Sequence, residues 1–160
     1  MMKISKLLCK SFALLSLLLI ACSNTDDIQQ KVTEIDASQL KVRDPFIFYD
    51  ADTDYYYLHV NGTLKVKSYK SKDLLTWQEN GYSFLPSAGF WGKEDFWAPD
   101  FYKYEDKYYL FITLSAPGVK RGTSVLVSDR VTGTFQPLVN NAVTPQEWTC
   151  LDGSLYVDSE

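Results

Sequence analysis

Two aspartates stand at the same point of a repeated phrase. Asp44 opens Asp44-Pro45-Phe46-Ile47-Phe48-Tyr49-Asp50, and Asp152 opens Asp152-Gly153-Ser154-Leu155-Tyr156-Val157-Asp158. Ala98, in Ala98-Pro99-Asp100-Phe101, lies 54 residues from each of them. Carboxylates gathered in one place can share acid–base work. One protonates a leaving oxygen while another activates water, as hydrolysis of a glycosidic bond requires. Close like charges also push carboxyl pKa values apart, which separates acid from base roles. Alone, an Asp before Pro or Gly reads as a turn residue. Its recurrence after two full periods lifts Asp44 and Asp152 above that reading. Asp100 is one register away, and its role is open between structure and substrate contact.

The elements that must position these aspartates are short strands. Phe46 to Tyr49 is an apolar run, and Asp50-Ala51-Asp52-Thr53-Asp54 reads as a turn. Tyr55 to Val60 follows, with a hairpin signal at Asn61-Gly62 and period-two alternation from Leu64 to Tyr69. The second stretch repeats the plan: Phe101 to Tyr104, an acidic turn at Glu105-Asp106-Lys107, Tyr108 to Leu114, a Pro117-Gly118 turn and Ser124 to Ser128. Both stretches close on a polar turn and an aromatic, Trp77 in one and Phe135 in the other. A period near 50 residues holding about four strands is the mark of propeller blades. The fold expected is therefore an all-β propeller, with blades at about 44–97 and 98–151 and a third starting at 152. A closed propeller needs at least four blades. On that count the chain is expected to be part of a longer one, inactive and poorly folded in isolation. The innermost strand of each blade lines the central channel, so Asp44 and Asp152 are expected to converge there. The acidic turn residues Asp50, Asp52, Asp54, Glu105 and Asp106 are expected in solvent, and His59, in an apolar strand, is expected to be packed.

The remaining sequence limits what the site can meet. Lys3, Lys6 and Lys10 precede an apolar run from Ser11 to Ile20, a signal-peptide pattern too short to span a bilayer. It ends in Leu19-Ile20-Ala21-Cys22, which resembles a bacterial lipobox and makes Cys22 the lipidated N-terminus. The expected organisation is a leader at 1–21, a lipidated polar tether at 22–40 and the propeller domain at 41–160. Export to a membrane-anchored periplasmic or cell-surface position follows. Loss of the leader leaves 13 basic and 20 acidic residues, net about −7. No basic stripe remains for nucleic acid, whereas a neutral polysaccharide is compatible with that charge. Cys150 is then the one unmodified cysteine, and no His/Cys spacing suggests a metal. The aromatic share of 15% suits a β core and also stacking on sugar rings.

Three motifs, Arg43-Asp44-Pro45, Phe96-Trp97-Ala98-Pro99-Asp100 and Leu151-Asp152-Gly153-Ser154, resemble glycoside hydrolase family 43 over about residues 40–160. That resemblance implies a five-bladed propeller, of which this chain holds about two blades and the start of a third. It implies inverting hydrolysis of arabinose- or xylose-containing plant-type glycans. Asp44 would be the general base, and Asp152 the carboxylate that tunes and orients the acid. Trp97 and Phe96 would line the sugar-binding end of the channel. Trp91 is open between stacking and core packing. The family's general acid, a Glu in a later blade, has no matching motif at Glu94, Glu147 or Glu160. No cofactor is needed for the chemistry, and a structural calcium rests on the family analogy alone.

Two other readings compete. Fructan-cleaving hydrolases and mannoside phosphorylases share the architecture, but Val42-Arg43 before Asp44-Pro45 departs from the fructan group's Asn-Asp-Pro setting. A non-catalytic, surface glycan-binding lipoprotein would use the same aromatics without needing paired carboxylates.

Overall fold

The computed structural model describes residues 33–158, so the leader, Cys22 and Glu160 lie outside the described residues. Among the described residues, nine strands form two antiparallel sheets. In the first, β2 (Phe46–Asp50), β3 (Tyr55–Gly62), β4 (Lys65–Ser71) and β5 (Thr76–Phe84) follow one another as a meander, and β1 (Glu34–Asp36) adds to the far edge beside β5. In the second, β6 (Glu94–Tyr104), β7 (Lys107–Ala116), β8 (Val119–Ser128) and β9 (Gln136–Pro137) do the same. The all-β, propeller-type architecture expected from the repeat is what the chain adopts, with one sheet per repeat.

Period-two alternation decides which face each strand buries. Along β3, Tyr57 and His59 face the second sheet, while Leu58 and Val60 join Tyr69 and Trp77 in a separate cluster on the opposite face. Ile35, Ala37 and Leu40 cover that outer cluster. The segment read as tether up to residue 40 therefore joins the fold at Glu34, because it carries the apolar side chains that Trp77 and Leu58 need. Between the sheets, Phe101 is wholly buried. Its ring lies 5.0 Å from Phe48, 5.4 Å from Phe135 and 5.9 Å from Tyr108.

Two expectations are corrected. Asp50 is not solvated: it is 1% exposed and accepts hydrogen bonds from the Thr53 N–H and hydroxyl and from the Tyr108 hydroxyl at 2.8 Å. Reach explains the difference, because Tyr108 comes from the other sheet and closes over the turn. A buried carboxylate is tolerable only when so bonded. In addition, Ser154 to Asp158 forms no ladder with another strand, despite its strand-like pattern. Pattern states a preference, and a strand exists only where a partner edge supplies hydrogen bonds.

His59 is fully buried, stacked on Phe101 at 4.2 Å, with Nδ1 2.7 Å from the Ser83 hydroxyl. Burial disfavours the imidazolium and lowers its pKa from 6.5 to about 3. Unfolding below pH 6.5 therefore takes up a proton that the folded state refuses. The stability contribution is complete above pH 6.5 and is lost as pH falls toward 3, at up to about 1.4 kcal/mol per pH unit. Urea unfolding from pH 7.5 to 4.5 should show the H59Q variant losing stability with acid less steeply than the parent. A difference between the two that does not change with pH would refute this.

Candidate active site

The starts of the repeats share a backbone conformation as well as a sequence position. Asp44, Ala98 and Asp152 have φ of 48°, 44° and 51°. A left-handed conformation strains any residue with a Cβ, by about 1–3 kcal/mol, and such strain persists only where surrounding structure holds it. Pro45 and Pro99 follow two of these residues and disfavour the ordinary helical conformation before them. Gly153 follows the third. An added Cβ there would lie 2.5–2.9 Å from the Thr123 side chain, so neither Pro nor Ala fits. That contact gives a physical reason for the departure from Asp-Pro at this repeat.

β6 carries the middle repeat and is irregular where it matters. Asp95 and Phe96 are also left-handed, at φ 74° and 51°, and the β6–β7 register shifts on either side of Trp97. Bulges of this kind re-aim side chains and gather beside functional sites. Trp97 emerges half-buried with two guanidiniums against its ring, Arg43 at 5.7 Å and Arg121 at 4.6 Å. Arg121 Nε lies 2.8 Å from Asp95 Oδ2, an ion pair whose N–H is not aimed along a hydrogen bond. The Ser115 hydroxyl donates to the same carboxylate oxygen. An open hollow of about 490 Å³ lies here, lined by Asn61, Gly62, Thr63, Leu64, Asp95 and Trp97. A smaller one of about 180 Å³, walled by Tyr55, Lys70 and Lys72 among others, contains none of the expected site residues.

The two aspartates are linked to β6 differently, Asp44 only through Arg43. Asp44 is half-exposed, with Oδ2 3.3 Å from Arg43 Nε, and Arg43 in turn stands over Trp97. Two residues on, Phe46 packs against Tyr102 at 5.5 Å. Asp152 is exposed, and its backbone N–H donates to Thr113 Oγ1 at 2.9 Å. Thr113 is the β7 residue paired with Trp97. Asp100 links the two approaches, since the Tyr102 hydroxyl donates to it at 3.1 Å and Asp152 is near enough to act on its charge. Burial first, and then the Asp152 charge, raise the Asp100 carboxyl above its usual value, against the Tyr102 hydrogen bond.

The expected aromatics separate into different surroundings. Phe96 is 1% exposed, between Phe84 and Phe90, so it is core and offers no face to a sugar. Its left-handed φ turns it inward as Trp97 turns out. Trp91 packs against the same core, with Nε1 donating to Ser124 Oγ at 2.8 Å, and core packing is its role. Arg121, Asp95, Thr113 and Tyr102 line the candidate site but are not singled out in the sequence, which carries no signal for them. Among the described residues, no group of three or more His, Cys, Asp or Glu is placed to hold a metal ion.

The repeat architecture, with an aspartate opening two of the three repeats beside a half-buried tryptophan, is that of a β-propeller chain. The family model described as glycosyl hydrolases family 43 matches residues 37–160, and the chain belongs to that family. It is 59% identical to an endo-arabinase from Bacteroides thetaiotaomicron, with a TM-score of 0.76, over 81% of this chain and 45% of that one. An endo-1,4-β-xylanase from the same organism is 26% identical, TM-score 0.62, over 80% and 42%. A family 43 enzyme from Xanthomonas citri, solved with xylose, is 18% identical, TM-score 0.55, over 66% and 34%, and shows the fold alone. The chain thus spans less than half the length of each of these structures. No curated protein sequence matches.

The proximity of Asp100 and Asp152 is open to direct titration. In the D152N variant the Asp100 carboxyl should titrate lower than in the parent, toward the ordinary aspartate range, as followed by carboxyl ¹³C NMR. An unchanged Asp100 would mean that Asp152 does not face it.

Proposed function

We propose that the protein is a glycosidase that cleaves arabinose-containing polysaccharide with inversion, and that Asp44 is its general base. One observation carries this reading: Asp44 and Asp152 hold the same strained repeat position, and β6 meets Arg43, the ion-pair partner of Asp44, at Trp97 and Asp152 at Asp100. The half-exposed Asp44 carboxylate, beside Arg43, would take a proton from water as that water attacks the anomeric carbon. The leaving oxygen receives its proton from a third carboxyl, which is assigned to none of the described residues. Asp152 acts on that acid, holding its pKa up by like charge. Trp97, with its orientation held by Arg121, would stack on a sugar ring. The likeness to the endo-arabinase supports arabinan as the polymer and internal cleavage as the mode. The more distant likeness to the xylanase supports xylan as the second substrate to try.

Replacing Asp44 tests the role without removing the binding surface. D44N should lower arabinan hydrolysis by about 10²–10⁴-fold while arabino-oligosaccharide binding persists. Unchanged hydrolysis would remove Asp44 as base. Binding by parent and variant alike, with no hydrolysis of arabinan or xylan by either, would make this a glycan-binding lipoprotein.

We further propose that Cys22 carries lipid and holds the protein on a membrane of an exporting bacterium. The support is the Leu19-Ile20-Ala21-Cys22 sequence after a basic, apolar leader. Labelled palmitate should enter the parent protein and not the C22S variant, which should move to the soluble fraction. Equal labelling of both would rule out this anchor.

A further inference from the structure

Asp152 occupies a strained conformation in a segment that makes no strand ladder, so something outside that segment must hold it. Two threonines of the second sheet meet it. Thr113, 1% exposed, accepts the Asp152 N–H at 2.9 Å, and Thr123, also 1% exposed, lies against Gly153 so closely that no Cβ is admitted there. Thr113 and Thr123 are direct partners across β7 and β8, so one cross-strand pair touches two consecutive residues. Thr123 is itself fixed from behind. Its N–H donates to Thr144 Oγ1 at 3.0 Å, and its carbonyl accepts the Val143 N–H at 2.8 Å. Just before Asp152, the Cys150 N–H donates to the Arg121 carbonyl at 3.0 Å, which ties the segment to the strand that bears the guanidinium on Trp97.

We propose that Thr113 and Thr123 are positioning residues that seat Asp152 for the reaction, Thr113 by its hydroxyl and Thr123 by its bulk. This rests on the role proposed for Asp152. The two threonines are suited to it for different reasons. A β-branched side chain has few rotamers, and burial in the centre of a sheet removes the remaining freedom. The Thr113 Oγ1 therefore stays where the N–H of a left-handed residue can reach it. Neither threonine needs to contact substrate, so loss of either should affect turnover rather than ground-state binding.

The T113V variant keeps the shape and removes the acceptor. On arabinan it should lower kcat by about 10- to 100-fold, as a catalytic group displaced by an ångström does, with KM changed less than about twofold. T113S should restore most of the loss. In a D152N background T113V should cost nothing further, because the residue it seats is already disabled. Wild-type kcat in T113V would overturn the proposal, as would an equal, additive loss in the D152N background, which marks a merely structural role. Should T113V not fold, G153A carries the test. It should lower kcat in the same way, and T123A, which removes two of the three clashing atoms, should recover part of it; no recovery would count against Thr123. If D152N itself turns over normally, the reading of Asp152 fails and this inference with it. If D152N is crippled while T113V is normal, the seating proposal fails and the reading of Asp152 stands.

Discussion

The site depends on how β6 is seated against β2 and β3. Those strands belong to different sheets, and what locks them is the Phe101 ring among Phe48, His59, Tyr108 and Phe135. Truncating a fully buried phenylalanine typically costs about 3–5 kcal/mol. Phe46 on Tyr102 and Phe84 on Phe96 extend the same aromatic packing, whereas the polar links between the sheets are weaker. Lys103 and Asp52 form an exposed ion pair, which solvent screens and which adds little. The Tyr108 hydroxyl on buried Asp50 contributes specificity, since a misplaced sheet would strand that carboxylate. Aromatic packing therefore sets the distance between repeats, and the hydrogen bond sets their alignment. Arg43 can stand over Trp97 only because both conditions hold.

Within that frame, the residue that opens each repeat is a backbone device before it is a chemical one. The three residues 44, 98 and 152 share a left-handed φ although one of them is alanine, which can do no chemistry. The conformation thus belongs to the repeat, and the carboxylate is an addition at two of the three copies. Strain at Ala98 serves the bulged strand that presents Trp97, while the same strain at Asp44 and Asp152 aims a carboxylate. One geometric solution yields an aromatic platform in one blade and charged groups in its neighbours.

Much of this was legible in the chain. The strand runs, the hairpin turns and the 54-residue spacing are local or periodic, and period two reports directly on which side chains share a face. The packed state of His59 was legible for the same reason. What escaped depends on contacts between repeats or on breaks in alternation. Asp50 looked like any acidic turn until Tyr108, 58 residues away, reached it. Phe96 and Trp97 are adjacent and should face opposite sides of a strand, yet nothing in their types says which one is inside. The left-handed pair at Asp95 and Phe96 decides it, and two non-glycine residues in that conformation carry no compositional signal. Thr113 and Thr123 are ordinary strand residues by type, and their role appears only when Asp152 and Gly153 are laid against them.

Charge placement around Trp97 bears on what the site can accept. The chain beyond the leader is acidic, net about −7, yet the half-buried Trp97 is flanked by two arginines. Each is matched: Arg43 by Asp44, and Arg121 by Asp95, which the Ser115 hydroxyl also holds. A guanidinium so paired is a poor anchor for a phosphate or sulfate, because binding the anion would have to displace a carboxylate already in place. The same planar groups still offer N–H donors and flat surface beside the ring, which is what hydroxyl-rich, uncharged sugars use. Charge compensation at Trp97 therefore favours an uncharged ligand over an anionic one.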